Sequence, residues 1–447
     1  MPSTPRTQLP PRLLPILYFG TAHVALAVAF AAVALDPRGV SGFFYHARML
    51  GVVHLVTLGW ITSSILGALY IVGPIALRVW LPATWLDYAA FGLVITGVVG
   101  MVAHFWIQDY AGMAWSAATV GTGIMVAGSN IVRRLRGASL PRAVSAHIVL
   151  AFVNVLGAAT MGVLMGFDKV YHFLPGFVIA NVFAHAHLAA IGWASMMVVG
   201  VAYRLLPMVL PAEMPKGARL WTSAILLQAG VSGLFVALLF RSRFVWIFAL
   251  TVVAGFGAFL WQVVWMLRRP RPRPPGLRTP DPAVLHAGAS FVSLVIASGL
   301  GIWLAFAELS PATLRIALAY GVFGLVGFLA QMVVGMEGRL LPIFAWYWAY
   351  ANTGYKGPVL SQHQMAWRYG QDLVFLLWLF GVPALAGGLA FDAIPFVRAG
   401  ALCLLAGTIV DSVNLVRILR HAFQRSTHST KDPALSVTII TRSTRSF

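Results

Sequence analysis

"FAHAHLAAIGWASMMVVGVAYRLLP" (residues 183–207) is apolar along nearly its whole length, yet it holds His185 and His187 two positions apart. Gly192 is followed eight residues later by Gly200 and fifteen later by Pro207. "HLVTLGWITSSILGALYIVGP" (54–74) places Gly59, Gly67 and Pro74 at the same offsets, and "GFLAQMVVGMEGRLLP" (327–342) does so with Gly327, Gly335 and Pro342. An aromatic follows the first glycine each time: Trp60, Trp193 and Phe328. Arg204 and Arg339, each followed by Leu-Leu-Pro, also coincide. A second register aligns "NIVRRLR" (130–136), "QVVWMLR" (262–268) and "NLVRILR" (414–420) without gaps, which sets Asn130, Gln262 and Asn414 at equivalent depths. Small residues are common wherever membrane helices pack closely, so one glycine pattern alone decides little. Two registers recurring at roughly 130 to 150 residues read as an internal repeat.

The composition says what is repeated. Of 447 residues, 60% are hydrophobic and 10% charged, and the mean hydropathy is +0.84. A soluble domain carries about a quarter charged residues, whereas this chain has apolar length for about a dozen spans of ~20 residues. Predicted helices fall near 12–35, 46–77, 84–106, 110–132, 143–166, 178–208, 217–240, 243–267, 281–306, 311–340, 368–391 and 397–420. The expected fold is an all-α polytopic membrane protein of about 12 helices in three pseudo-symmetric four-helix repeats, at about 12–136, 143–268 and 281–420. Residues 1–423 form one membrane domain, its first apolar run being too long for a signal-peptide core. Residues 424–447 form a basic cytoplasmic tail expected to be disordered.

The net charge of +19 invites a nucleic-acid reading, but the basic residues sit between the spans. "RRLRGASLPR" (133–142), "RRPRPRPPGLR" (268–278) and Arg417, Arg420 and Arg425 follow the fourth, eighth and twelfth helices. Arg204, Lys216 and Arg219 follow the sixth, while Arg339, Lys356 and Arg368 follow the tenth. Such alternation sets topology, with both termini cytoplasmic in a bacterial inner membrane. The partner it implies is the lipid bilayer, not nucleic acid. Cys403 is the single cysteine, so disulfides and cysteine metal clusters are excluded.

The histidines carry the chemistry. His54 and His187 each lie five residues before the first glycine of their repeat, where the third copy has Val322. His185 lies seven before, opposite Val52 and Tyr320. His54 is about eight residues, or ~12 Å, into its helix, in the outer half of the bilayer. Neutral imidazole binds haem iron, copper and zinc, and two imidazoles across an interhelical gap suit a bis-histidine haem. His185 and His187 stand about 200° apart around a helix, so one addresses the site shared with His54 and the other a second site or a hydrogen-bond partner. The bland alternative is that each histidine is an interhelical hydrogen-bond donor. His23, His147 and His286 begin the three repeats and are further metal candidates. Asp411, the deepest acid, with His46 and His172 at the outer helix ends, suggests a proton path. For Asp411 the rival is an ion pair with Arg417, and Glu337 near Arg339 reads as an interfacial pair. The fifteen methionines form no copper-conducting motif and read as packing.

Twelve spans in three units with "HAHLAAIGW" (185–193) resemble the catalytic subunit of the haem-copper oxidase superfamily, including cbb-type oxidases and nitric oxide reductases, and also NnrS-type proteins. The resemblance implies a b-type haem between the first two units, with His54 and His187 as axial ligands and His185 a further cofactor or metal ligand. It also implies copper as a second possible metal and a redox partner protein at the periplasmic face. The chain departs from that family in two places. Tyr320 and Val322 replace a His-x-His on the tenth helix, and "LWTSAILLQAGVSGLF" (220–235) lacks the histidine pair that holds copper. The implied role is electron transfer or nitric oxide and respiratory redox chemistry, with enzymatic turnover left open. The alternatives are a non-enzymatic haem or copper carrier, sensor or assembly factor, and a proton-coupled transporter.

Overall fold

The computed structural model describes residues 9–41, 45–274, 276–351 and 360–423, and the expected tail lies outside them. The described chain is helical throughout, as lipid demands, because only a helix or a closed barrel satisfies its own backbone groups there. Twelve long helices follow in order: α1 Leu13–Leu35, α2 Ala47–Leu77, α3 Trp85–Ile107, α4 Tyr110–Leu135, α5 Arg142–Tyr171 and α6 Val178–Val209. They continue with α7 Arg219–Leu239, α8 Val245–Leu267, α9 Pro282–Phe306, α10 Pro311–Tyr350, α11 Arg368–Ala390 and α12 Ile394–Phe423. Twelve long helices stand as expected, and eleven of them also meet the apolar requirement for a span. The exception, α4, is long enough but rich in Gly, Ala, Ser and Thr, with Arg133 and Arg134 in its last turn. Helix α10 also runs ten residues beyond its predicted end, through Pro342 and "PIFAWYWAY".

α2, α6 and α10 occupy the centre. Each is interrupted by a π-helical stretch, Leu55–Thr62, Leu188–Ser195 and Val322–Ala330, and the three stretches touch one another. These wide turns coincide with the three glycine-spaced segments, and such turns inside α-helices are frequent at functional sites. Trp193 Nε1 donates to Thr62 Oγ1 at 2.9 Å, tying α6 to α2. Trp60 Nε1 points to the Ala330 carbonyl at 3.5 Å, tying α2 to α10.

The glycines are where a neighbouring helix comes too close for a side chain. A Cβ on Gly59, Gly192 or Gly327 would lie 2.5, 2.8 or 2.6 Å from atoms of Ala25, Asn154 or Ser293. On Gly67, Gly200 or Gly335 it would meet the Cβ of Tyr18, His147 or His286 at 2.8, 2.5 and 2.6 Å. The nine outer helices pack in chain order, with α3–α4, α7–α8 and α11–α12 as tight hairpins. α4 packs on α5, α8 on α9, and α12 returns to α1. Arg398 Nε donates to the Ala34 carbonyl at 3.2 Å across that last seam.

Two of the three aligned amides brace the beginnings of outer helices. Asn130 Nδ2 donates to Asp87 Oδ1 at 2.6 Å, and Asp87 also accepts from Tyr70 Oη at 2.6 Å and from the Thr84 backbone N–H at 2.7 Å. Asn414 Oδ1 accepts from the Trp367 N–H at 2.8 Å, just before α11. Each satisfies polar groups at a helix N-terminus.

Candidate cofactor site between the central helices

A cavity of about 610 Å³ lies among the central helices and their outer neighbours. Phe105, Val120, Ile124 and Leu234 are among its apolar walls, and His54, His185, His187 and Tyr320 are its principal polar groups. A volume in the range of roughly 300–1,000 Å³, apolar walls and a few convergent polar groups are what a small-molecule or cofactor site requires.

The rings of His54 and His185 face each other across the gap between α2 and α6, with centroids 6.4 Å apart and planes inclined by 28°. His54 Nδ1 lies 2.7 Å from the Leu50 carbonyl, and His185 Nδ1 lies 3.0 Å from the Ala158 carbonyl on α5. A carbonyl only accepts, so Nδ1 carries the proton in both rings and Nε2 keeps its lone pair. This is the second-shell arrangement that fixes tautomer and orientation in metal-binding imidazoles. Phe105 packs against His54 with centroids 5.2 Å apart.

The neighbouring gap, between α6 and α10, is built differently. His187 Nδ1 donates to the Phe183 carbonyl at 2.7 Å, and its Nε2 meets Tyr320 Oη at 3.1 Å. With Nδ1 protonated, Nε2 accepts and the phenol donates. The expected pairing of His54 with His187 is therefore replaced by His54 with His185. His54 looks across one gap while His187 looks across the next.

The remaining candidates are scattered. His147 is saturated, with Nδ1 bonded to the Ala143 carbonyl at 2.7 Å and Nε2 to Ser223 Oγ at 3.0 Å, which is the role of an interhelical hydrogen-bonder. His286 packs its ring edge-on to Phe375, with centroids 5.3 Å apart, and its Nδ1 has no partner. His46 precedes α2 and His172 ends α5, both exposed. Asp411, expected with them, is grouped instead with His23 and Glu337. Neither expected acid–arginine pair forms. Arg339 bonds Asp281 and His363, and Arg417 lies over the Trp367 ring at 5.7 Å. Lys169 lines the cavity, its Nζ resting 4.2 and 4.4 Å from the Tyr45 and Tyr110 ring centroids.

Sequence reasoning missed Tyr320 as a partner, although the alignment had already set it opposite His185. The chain matches no protein-family model, and no curated protein matches it in sequence.

Proposed function

We propose that the chain is a membrane haem protein of three four-helix units, in which His54 and His185 would hold a b-type haem in the central cavity. The observation that carries the reading is the 6.4 Å between their ring centroids. A metal about 2 Å from each of two facing imidazole nitrogens puts the ring centroids roughly 6 Å apart. The apolar volume and the anchored Nδ1 atoms fit the same group. Lys169, on the cavity wall, offers a cation for a propionate. A bis-imidazole haem supplies one-electron transfer. Around it, the described residues position the imidazoles and exclude water.

The three-unit arrangement is supported by contacts beyond the sequence registers. The residue five before the first glycine of one unit meets the residue seven before that of the next: His54 meets His185, and His187 meets Tyr320. The third pair in this series is Val322 with Val52, which offers no ligand. Gly97, Gly230 and Gly381 likewise receive Val120, Val252 and Leu404 at matching positions of the outer hairpins. The biological role follows the haem: electron transfer in respiratory or nitric oxide metabolism at a bacterial inner membrane, with both termini cytoplasmic and a redox partner at the periplasmic face.

The test is the absorption spectrum of the purified protein together with its iron and copper content. Low-spin haem bands that vanish in His185→Ala but survive in His187→Ala support the assignment. A colourless, metal-free protein from a haem-replete host overturns it. Copper without iron, bound by the same two Nε2 atoms, favours a carrier on the same frame.

A further inference from the structure

α1 of the first unit meets α10 and α12 of the last at a buried polar cluster. His23 Nε2 lies 3.6 Å from Glu337 Oε2 and 3.6 Å from Asp411 Oδ2, and the three groups present ligand atoms all within 4.8 Å of one another. Among the described residues they are the one such group of three or more His, Cys, Asp or Glu. His23 and Glu337 are 4% and 3% exposed, and the Asp411 side chain 14%. His23 Nδ1 lies 2.9 Å from the Phe19 carbonyl, to which it donates, which leaves Nε2 to face the two carboxylates. His23 Nε2, both carboxylate oxygens of Glu337 and Asp411 Oδ2 have no hydrogen-bond partner. The nearest arginines in sequence are engaged elsewhere, Arg339 with Asp281 and Arg417 over Trp367.

Two carboxylates facing one imidazole inside an apolar bundle are costly unless something compensates their charge. The other two seams show that the fold itself does not require them. By the repeat registers, the positions of His23, Glu337 and Asp411 correspond to Phe152, Leu69 and Ala127 at the α4–α5 seam. At the α8–α9 seam they correspond to Phe291, Ala202 and Phe259. Phe152 packs against the Gly128 turn beside Ala127, and Phe291 meets Phe259 edge-on with centroids 5.8 Å apart. Two seams are closed by hydrocarbon, and the third by three ionisable groups with unsatisfied atoms aimed at one another.

We infer that His23, Glu337 and Asp411 form a binding site for a divalent metal cation of the zinc class, which clamps the first helix to the last unit. One imidazole nitrogen and two carboxylate oxygens suit such an ion, whose ligands lie at about 2.0–2.2 Å and therefore roughly 3.3 Å from each other in a tetrahedron. The two 3.6 Å separations from His23 need only a small contraction, and the two carboxylates, within 4.8 Å of each other, must close further. The mixed N/O set disfavours magnesium and calcium, which take oxygen ligands, and copper(I), which prefers sulfur. A dication also balances the two carboxylates with the imidazole neutral. The site stands on its own distances, and the comparison of seams rests on the sequence registers rather than on the haem reading.

The experiment loads the full-length protein in detergent with Zn²⁺ or Co²⁺, removes excess, and measures bound metal, the Co²⁺ visible spectrum and thermal stability. The expected result is one zinc-class ion per chain and a tetrahedral-type Co²⁺ spectrum. Both fall at least tenfold in Glu337→Gln and Asp411→Asn, with the histidine-dependent haem spectrum unchanged. Chelation lowers the melting temperature of the parent protein. The apolar triple variant His23→Phe, Glu337→Leu, Asp411→Ala copies the α4–α5 seam and keeps helicity if the carboxylate variants misfold. It binds no Zn²⁺ and no longer responds to the chelator. A helical parent protein that takes up neither Zn²⁺ nor Co²⁺ overturns the site, as does metal retained in the triple variant. A colourless protein that binds zinc separates this site from the haem assignment, and a haem-bearing protein that rejects zinc does the reverse.

Discussion

Two neighbouring gaps in the same bundle present the same backbone positions with different donors. Between α2 and α6 an imidazole faces an imidazole at 6.4 Å. Between α6 and α10 an imidazole faces a phenol, and the two close into a hydrogen bond of 3.1 Å. In the first gap both Nδ1 atoms are anchored on carbonyls and both Nε2 atoms keep their lone pairs. In the second the phenolic proton occupies the only free nitrogen. One difference at aligned sequence positions, Tyr320 against His185, separates a gap with two unbonded imidazole nitrogens from one closed by a hydrogen bond. Chemistry at this level lives in two side chains rather than in the fold.

The largest effect that sharpens this contrast is loss of the proposed haem: on that reading His54→Ala abolishes the low-spin spectrum while circular dichroism keeps its helical signature. Next is conversion. Tyr320→His rebuilds the second gap on the pattern of the first, and the iron and haem content per chain rises; unchanged content would break the equivalence of the two gaps. Smaller is Tyr320→Phe, which leaves His187 Nε2 without its donor. Stranding a buried acceptor costs about 1–3 kcal/mol, read as a lower melting temperature with the haem spectrum intact. The smallest concerns His363, outside the spans, where burial and the Arg339 guanidinium hold the imidazole below its ordinary pKa. Its Nδ1 accepts from Arg339 at 2.9 Å, which needs the neutral ring. Its contribution is present above the unfolded value of about 6.5 and is lost as pH falls through the lower folded value. Melting temperatures measured from pH 7.5 down to 5 fall less steeply in His363→Gln than in the parent.

Much of the frame was legible in the sequence, because lipid imposes long apolar runs and because helix contacts at Cβ distance demand glycine. Gly59, Gly192 and Gly327 were informative for that reason, and each meets a neighbouring side chain. α4 is long but less apolar than a typical span, because it carries Tyr110, Ser116, Thr119, Thr122 and Asn130 along its run. That His54 lies near His185 rather than His187 is not readable from aligned positions, because alignment matches equivalent residues and does not say which side chains meet. Tyr320 already stood in the right column. The pairing of Glu337 with Arg339 could have been refused on geometry alone, since residues two apart on a helix do not face each other. Six residues separate Asp411 from Arg417, a spacing that also puts them on different faces. That Asp87 would gather Tyr70, Thr84 and Asn130 depends on tertiary placement, and no local signal announces it.

The most direct measurement of the central claim is the reduced-minus-oxidised absorption spectrum of the purified protein beside those of His185→Ala and His187→Ala. The account predicts low-spin b-type bands in the parent, their disappearance in His185→Ala and their persistence in His187→Ala. A parent without these bands, or bands that survive loss of His185 and vanish with His187, contradicts it.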